Sequence, residues 1–384
     1  MKLVLTLLCC IVLSQNASGQ SSAPGTSEFD EHTRKGIDFV YNLEFENASR
    51  EFDALVQLKP GHPAGHFFLA MVQWWQILID IDNDQYDEKF HDALDGVVDL
   101  CDEMLEVNEN DVTALFFKGG AIGFKGRLNA HRSEWLAAAN AGRKALPIVQ
   151  DASALDPNNY DILLGSGIYN YYAEVIPQEY AFVKPLLLFV PNGDKKKGIE
   201  QLTAAAERGK YASVEASYFL MQIYHQFERD FSKALGIAQT LNARFPANML
   251  FHKYLGRCYV SLGNWPKVHE VFGEISARAR KDQRGYNVNT EREAEYYLAL
   301  YEMSQRAHDK ALAHFYRCDE LSRQIDTEEV SGFMVMTNLK VGNIYDVQMK
   351  RESAVEQYKK VLGMREHKDS HKQAQQFLLK PFIQ

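Results

Sequence analysis

The stretch Gly36-Ile-Asp-Phe-Val-Tyr-Asn-Leu-Glu-Phe-Glu-Asn-Ala48-Ser-Arg-Glu-Phe52-Asp-Ala-Leu-Val-Gln-Leu-Lys-Pro60 decides the fold. A small residue is followed twelve positions on by Ala, four later by an aromatic ring, and twelve after the Ala by Pro. Read as two consecutive helices, the small residues let the helices approach closely and the ring fills the gap to whatever packs next. Pro60, which has no N–H to donate, ends the second helix. Helical periodicity continues from about Asp30 almost to the C-terminus, and the spacing returns along it. It is echoed by Gly119 with Ala145, Ala152 and Pro157, and by Ala234 with Pro246. Further echoes are Gly256, Tyr259 and Phe272; Ala299, Ala311 and Phe315; and Gly342, Tyr345, Ala354 and Tyr358.

These positions resemble the tetratricopeptide repeat, a helical hairpin of about 34 residues. The resemblance covers most of the chain and implies an all-α, right-handed superhelical solenoid of antiparallel helix hairpins. The units are expected near 29–62, 63–111, 112–159, 160–214, 215–248, 249–291, 292–334 and 335–368, with a closing helix in 369–384. Units two to four are lengthened by the acidic loop Asp80 to Glu88, the Gly126 to Ser133 connection and an insertion over 174–195. The fourth unit also carries Gly165-Ser-Gly167-Ile-Tyr169-Asn-Tyr171-Tyr172, Pro177, the apolar run 185–189, Gly193-Asp194-Lys195, Gly198 and Leu202. Over residues 160–230 this is similar to the eukaryotic inclusion-body-clearance family of tetratricopeptide proteins and its uncharacterised bacterial relatives. That likeness implies a binding or adaptor role and brings no chemistry with it.

The N-terminus has the anatomy of a secretory signal peptide: Lys2, an apolar run from Leu3 to Leu13, polar Ser14-Gln15-Asn16, then Ala17-Ser18-Gly19. Residues 1–19 are expected to be removed and 20–28 to form a linker, so the protein is expected to be exported, periplasmic or secreted. The apolar run is well short of the roughly 20 residues that span a bilayer, so no transmembrane segment is expected in the mature chain. Neither Cys9 nor Cys10 follows the small residue that lipoprotein processing requires. Of the 384 residues, 42 Lys and Arg stand against 51 Asp and Glu, a net charge of −9 without a Lys/Arg cluster of nucleic-acid type, which argues against nucleic acid as a partner. Apolar residues make up 46% of the chain, enough for a large core.

In such a solenoid the first helix of each hairpin faces the concave side, at its second, fifth, ninth, twelfth and thirteenth positions. With units starting at Pro63, Val112, Tyr160 and Glu215, the expected partner-binding lining is Phe67, Met71, Trp74 and Trp75. Phe116 and Phe124 follow across Gly120 and Gly123, then Tyr171, Tyr172 and Phe219. Farther along it becomes Lys253, Arg257, Tyr296 and Asn343. Here two cations one turn apart resemble part of a carboxylate clamp. The expectation is an exported, non-enzymatic scaffold or adaptor that binds a protein or peptide in this aromatic groove as a monomer. Two alternatives stay open: a carrier of an apolar small molecule in the same groove, and an enzyme using Glu174, Glu179, Lys184, Asp194 and Lys195 of the insertion. Against groove binding stands a tightly wound superhelix that buries the rings as core, or fills the groove with residues 180–191.

No other motif carries chemistry. Asp80, Asp82 and Asp84 copy the start of a calcium loop, but Gln85 replaces the turn Gly and His91 the bidentate Glu. His62/His66 and His367/His371 have metal-ligand spacing without a third ligand. There is no phosphate loop and no nucleophile elbow. Cys101, Cys258 and Cys318 fall on predicted helices and allow at most one disulfide. No cofactor, metal or catalytic residue is expected. Asn47-Ala-Ser49 is a glycosylation sequon in a helical turn.

Overall fold

The structure, a computed structural model, describes residues 27–182, 184, 191–327 and 329–383. The signal-peptide reading, Cys9 and Cys10, and the whole apolar run 185–189 lie outside the described residues.

Helices follow one another in hairpins. The first is α1 (Glu28–Tyr41) with α2 (Phe45–Leu58), then α3 (Pro63–Ile79) with α4 (Asp87–Val107), and α5 (Val112–His131) with α6 (Trp135–Leu155). The middle is α7 (Ile162–Glu179) with α8 (Lys195–Arg208), α9 (Ser213–Gln226) with α10 (Phe231–Arg244), and α11 (Met249–Ser261) with α12 (Trp265–Ala279). Last come α13 (Val288–Ser304) with α14 (His308–Ile325), α15 (Gly332–Val347) with α16 (Arg351–Leu362), and the closing α17 (Ser370–Leu379). No strand occurs among the described residues. The architecture is an all-α, tetratricopeptide-like solenoid.

Helix starts are written in local chemistry. Ser27 Oγ, Asp111 Oδ1 and Asn248 Oδ1 each accept a backbone N–H of the first turn of α1, α5 and α11. His62 is the N-cap of α3, its Nδ1 accepting from Ala64 N, with Pro63 at the first helical position. His62 therefore sits outside the helix that carries His66. The turn inside six hairpins contains one left-handed residue: Leu43, Ser133, Arg229, Gly263, Arg306 or Met349. Only one of the six is Gly, so the other turns hold a strained conformation of order 1–2 kcal/mol against the packing of the helices they join.

The repeated small residues do what their spacing implies. A Cβ on Gly342 would stand 2.6 Å from Tyr358 Cε1, and Phe52 lies likewise against Gly36. The glycine-rich string in the fourth unit packs α7 on α8 backbone to backbone. A Cβ on Gly198 would come within 2.6 Å of Tyr171 N, and one on Gly167 within 3.0 Å of Leu202 N.

One feature departs from an open solenoid. The concave faces of the first two hairpins pack against hairpins five and six. Asn248 Nδ2 donates to Tyr41 O at 2.9 Å across 207 residues of sequence. Tyr41 meets Trp75 edge to face at 5.0 Å and Phe245 at 5.3 Å, while Trp75 lies 5.7 Å from both Tyr218 and Phe251. Ion pairs Lys210–Asp30, Arg244–Asp38 and Arg284–Glu46 close the outside of the same seam. One apolar core consequently joins buried residues between Val40 and Leu128 to others between Val214 and Leu298, while Tyr171 and Leu202 pack in a separate cluster.

The acidic loop has a resident cation. Arg132 donates to Asp87 Oδ1 at 2.9 Å and to Asn83 O at 3.1 Å, and also to Ile81 O. A guanidinium thus ties together the two ends of the loop. Asp82 turns away to Asn289.

Candidate functional site

Beside the closed seam the superhelix leaves a cavity of about 630 Å³, within the size range of small-molecule sites. Its walls come from helices α3, α5, α7 and α9, with α6 forming the floor. Phe67, Met71 and Trp75 face it from α3, Phe116 and Phe124 from α5, Tyr172 from α7 and Phe219 from α9. Gly120 and Gly123 lower the α5 wall: nothing lies within 4 Å of where a Gly123 Cβ would be.

The candidate lining divides by position along each helix. The fifth, ninth and thirteenth residues of the units line the cavity, as in Phe67, Met71 and Trp75, save Ile223, which is buried in the core. In α3 and α7 the twelfth, one residue and about 100° earlier, points into the hairpin, while Gly123 at the same place in α5 faces the cavity. Trp74 is fully buried there, stacked on Phe90 at 5.6 Å. Tyr171 is also fully buried, its hydroxyl donating to Glu228 Oε1 at 2.7 Å. Both are corrected from groove to core. Trp75 borders the cavity, yet only 2% of it is exposed, so it also belongs to the core.

The clamp-like residues are corrected too. Arg257 Nη2 donates to Glu293 Oε2 at 2.7 Å, and Lys253 Nζ stands 3.7 Å from the same oxygen. The carboxylate such a clamp would seize is supplied by the next first helix, α13. Burial pushes the Glu293 carboxyl up, but the charges of Arg257 and Lys253 pull it below its ordinary value. Burial likewise holds the Lys253 ammonium below its ordinary value. Tyr296 packs among Tyr297, Phe315 and Phe333, and Asn343 is buried, accepting from Tyr358 at 3.2 Å. None of the four lines the cavity.

Sequence reasoning missed the polar centre of the site. Arg127, one turn beyond Phe124, lies 4.3 Å from the centre of the Phe219 ring and 4.7 Å from that of Trp74. Its Nη1 donates to Glu215 Oε1 at 2.7 Å, and Glu215 Oε2 accepts from Tyr41 at 3.3 Å. The ion pair is largely buried, both side chains being at most 15% exposed. Asp161 also lines the cavity, its Oδ1 capping α9 by accepting from Tyr211 N and Ala212 N, both at 2.9 Å. A lone Arg in a helical stretch carries no signal for such a role, because its partner Glu215 is 88 residues away.

Elsewhere ionisable groups serve the scaffold. Glu174 Oε2 accepts from Lys195 N at 2.8 Å, Asp194 caps α8, and Lys195 Nζ pairs with Glu228. Burial pushes the thiols of Cys101, Cys258 and Cys318 up to about 12, and all three are buried and unbridged. No helix among the described residues is long and apolar enough to cross a membrane.

No family model matches the chain, and no curated protein matches it. Solved structures with a related course include a human IFIT1 dimer with m7Gppp-AAAA, at 14% identity and a TM-score of 0.43, covering 90% of this chain and 84% of that one. Another is a tetratricopeptide repeat protein from Parabacteroides merdae, at 13% identity and a TM-score of 0.34, covering 81% of this chain and 98% of that one.

Proposed function

We propose that this chain is an exported, non-enzymatic binding protein, acting as a monomer, that takes an apolar guest into the concave cavity between α3, α5, α7 and α9. The observation that carries the reading is the cavity itself, about 630 Å³ with aromatic and glycine walls beside a seam where the remaining concave rings meet each other. A helical peptide lying along the whole groove would have to part Trp75 from Phe251 and Tyr218. A compact apolar molecule needs no such opening, so the carrier reading stands ahead of the extended-peptide one.

The test uses Gly123→Phe, because a side chain there grows into empty space. Protein purified from its source is extracted with solvent, and the extract is analysed by mass spectrometry. An apolar compound should accompany the wild type and be missing from a Gly123→Phe variant of unchanged helicity. Its absence from the wild type, together with failure to bind pyrene, sinks the reading. N-terminal sequencing of the same preparation checks removal of residues 1–19, and light scattering checks the monomer.

A scaffold that anchors apolar side chains of a protein or peptide is favoured by one further feature. At the cavity rim Tyr180 stacks on Trp135 and Phe182 meets it edge to face, while 45% and 57% exposed. Crosslinking capture with Tyr180→Ser/Phe182→Ser as the control bait distinguishes it, since neither residue lines the cavity and only a macromolecular partner needs the rim.

A further inference from the structure

The charged groups of the cavity restrict what it can hold. Arg127 supplies one positive charge, and Glu215 and Asp161 supply two negative ones. Glu215 is spent on Arg127 and Tyr41, and Asp161 on two backbone N–H groups. Only Nη1 of the Arg127 guanidinium has an acceptor among the described residues, so its Nε–H and Nη2–H donors lack one. Phe219 and Trp74 hold the guanidinium between them, where its direction is set by ring contacts and the Glu215 bond.

We propose, resting on the apolar-guest reading above, that the cavity binds a neutral amphiphile whose carbonyl oxygen accepts the free N–H groups of Arg127. A carboxylate ligand could reach Arg127 only by sharing it with Glu215, which places a third negative charge in an apolar cavity with one cation. A cationic head would lie against Arg127 itself and find both carboxylates already hydrogen-bonded. An amide or ester carbonyl adds no charge and gains a charge-assisted hydrogen bond. Its hydrocarbon body takes the aromatic walls.

Isothermal titration of the full chain at pH 8 with decanamide, decanoate, decylammonium and pyrene tests this. Decanamide should bind at least about tenfold more tightly than either ion, a difference of about 1.4 kcal/mol. Pyrene binding should be independent of Arg127. In the charge-neutral double variant Arg127→Met/Glu215→Gln the preference for decanamide should disappear while pyrene still binds. Decanoate or decylammonium binding as tightly as decanamide overturns the proposal, and so does pyrene binding with no amphiphile bound; both leave the cavity reading standing. Failure of all four to bind removes the cavity reading and the proposal together. If the double variant does not fold, the comparison of the four probes on the wild type still decides.

Discussion

The ring of Phe272 lies directly against the α-carbon of Gly256: a Cβ there would stand 2.6 Å from Phe272 Cζ. The two belong to the facing helices of one hairpin, and the same sixteen-residue spacing puts Tyr358 against Gly342. Gly256→Ala should lower stability by about 1–2 kcal/mol, overpacking outweighing the better helix propensity of Ala. Gly236→Ala, in α10 with nothing within 4 Å, should raise it by up to about 1 kcal/mol. Urea midpoints at constant slope read both. Equal shifts in the two variants would deny the close-packing role.

Trp75→Ala should destabilise by about 3–5 kcal/mol, because the ring is the centre of the seam between the first two hairpins and hairpins five and six. The change should appear in thermal melting. A variant that melts like wild type would return Trp75 to the class of binding residues.

Glu293→Ala leaves two partly buried cations without a counter-charge and should cost about 3 kcal/mol. The triple variant Glu293→Leu/Lys253→Met/Arg257→Met should recover most of that. The folded Glu293 carboxyl lies below its ordinary value of 4.5, so its contribution is complete above that pH and lost as pH falls through the folded value. Denaturation curves of wild type and triple variant should therefore converge in acid. Parallel curves would show that the network does not act through charge.

His252 is 3% exposed, with Nδ1 bound to Tyr286 Oη at 3.0 Å. Burial lowers its imidazole from 6.5 to about 4, Glu274 opposing and Arg278 assisting. Because the folded value is depressed, stability is complete above about pH 6.5 and declines as pH falls towards 4, by about 3 kcal/mol over the interval. His252→Gln should remove this part of the pH slope. An unchanged slope would place the protonation elsewhere.

Local relations along the chain were readable before any coordinates. Gly36, Ala48, Phe52 and Pro60 announce a hairpin because small residues, rings and a terminating Pro act within one or two helices. The site was only half readable. Phe67, Met71, Phe116, Phe124, Tyr172 and Phe219 reach the cavity because they share a helical face counted from a correct start. Trp74 and Tyr171 fall on the adjoining face, one residue and about 100° away. Lys253 and Arg257 looked free because Glu293, Glu291 and Glu295 on α13 resemble a solvated acidic stretch, and only the superhelical stacking reveals that they are buried. Arg127 gave no signal at all, since Glu215 and Phe219 reach it across nearly ninety residues.

The Tyr41–Asn248 bond ties the first hairpin to one made 207 residues later. A solenoid with contacts only between neighbours can be completed unit by unit as it leaves the ribosome. Here Tyr41 and Trp75 emerge long before Phe245 and Phe251, and at about 5–20 residues per second they wait roughly 10–40 s for those rings. During that interval the nascent chain presents an uncovered aromatic surface, so chaperone engagement should fall on the first two hairpins and end when α11 appears.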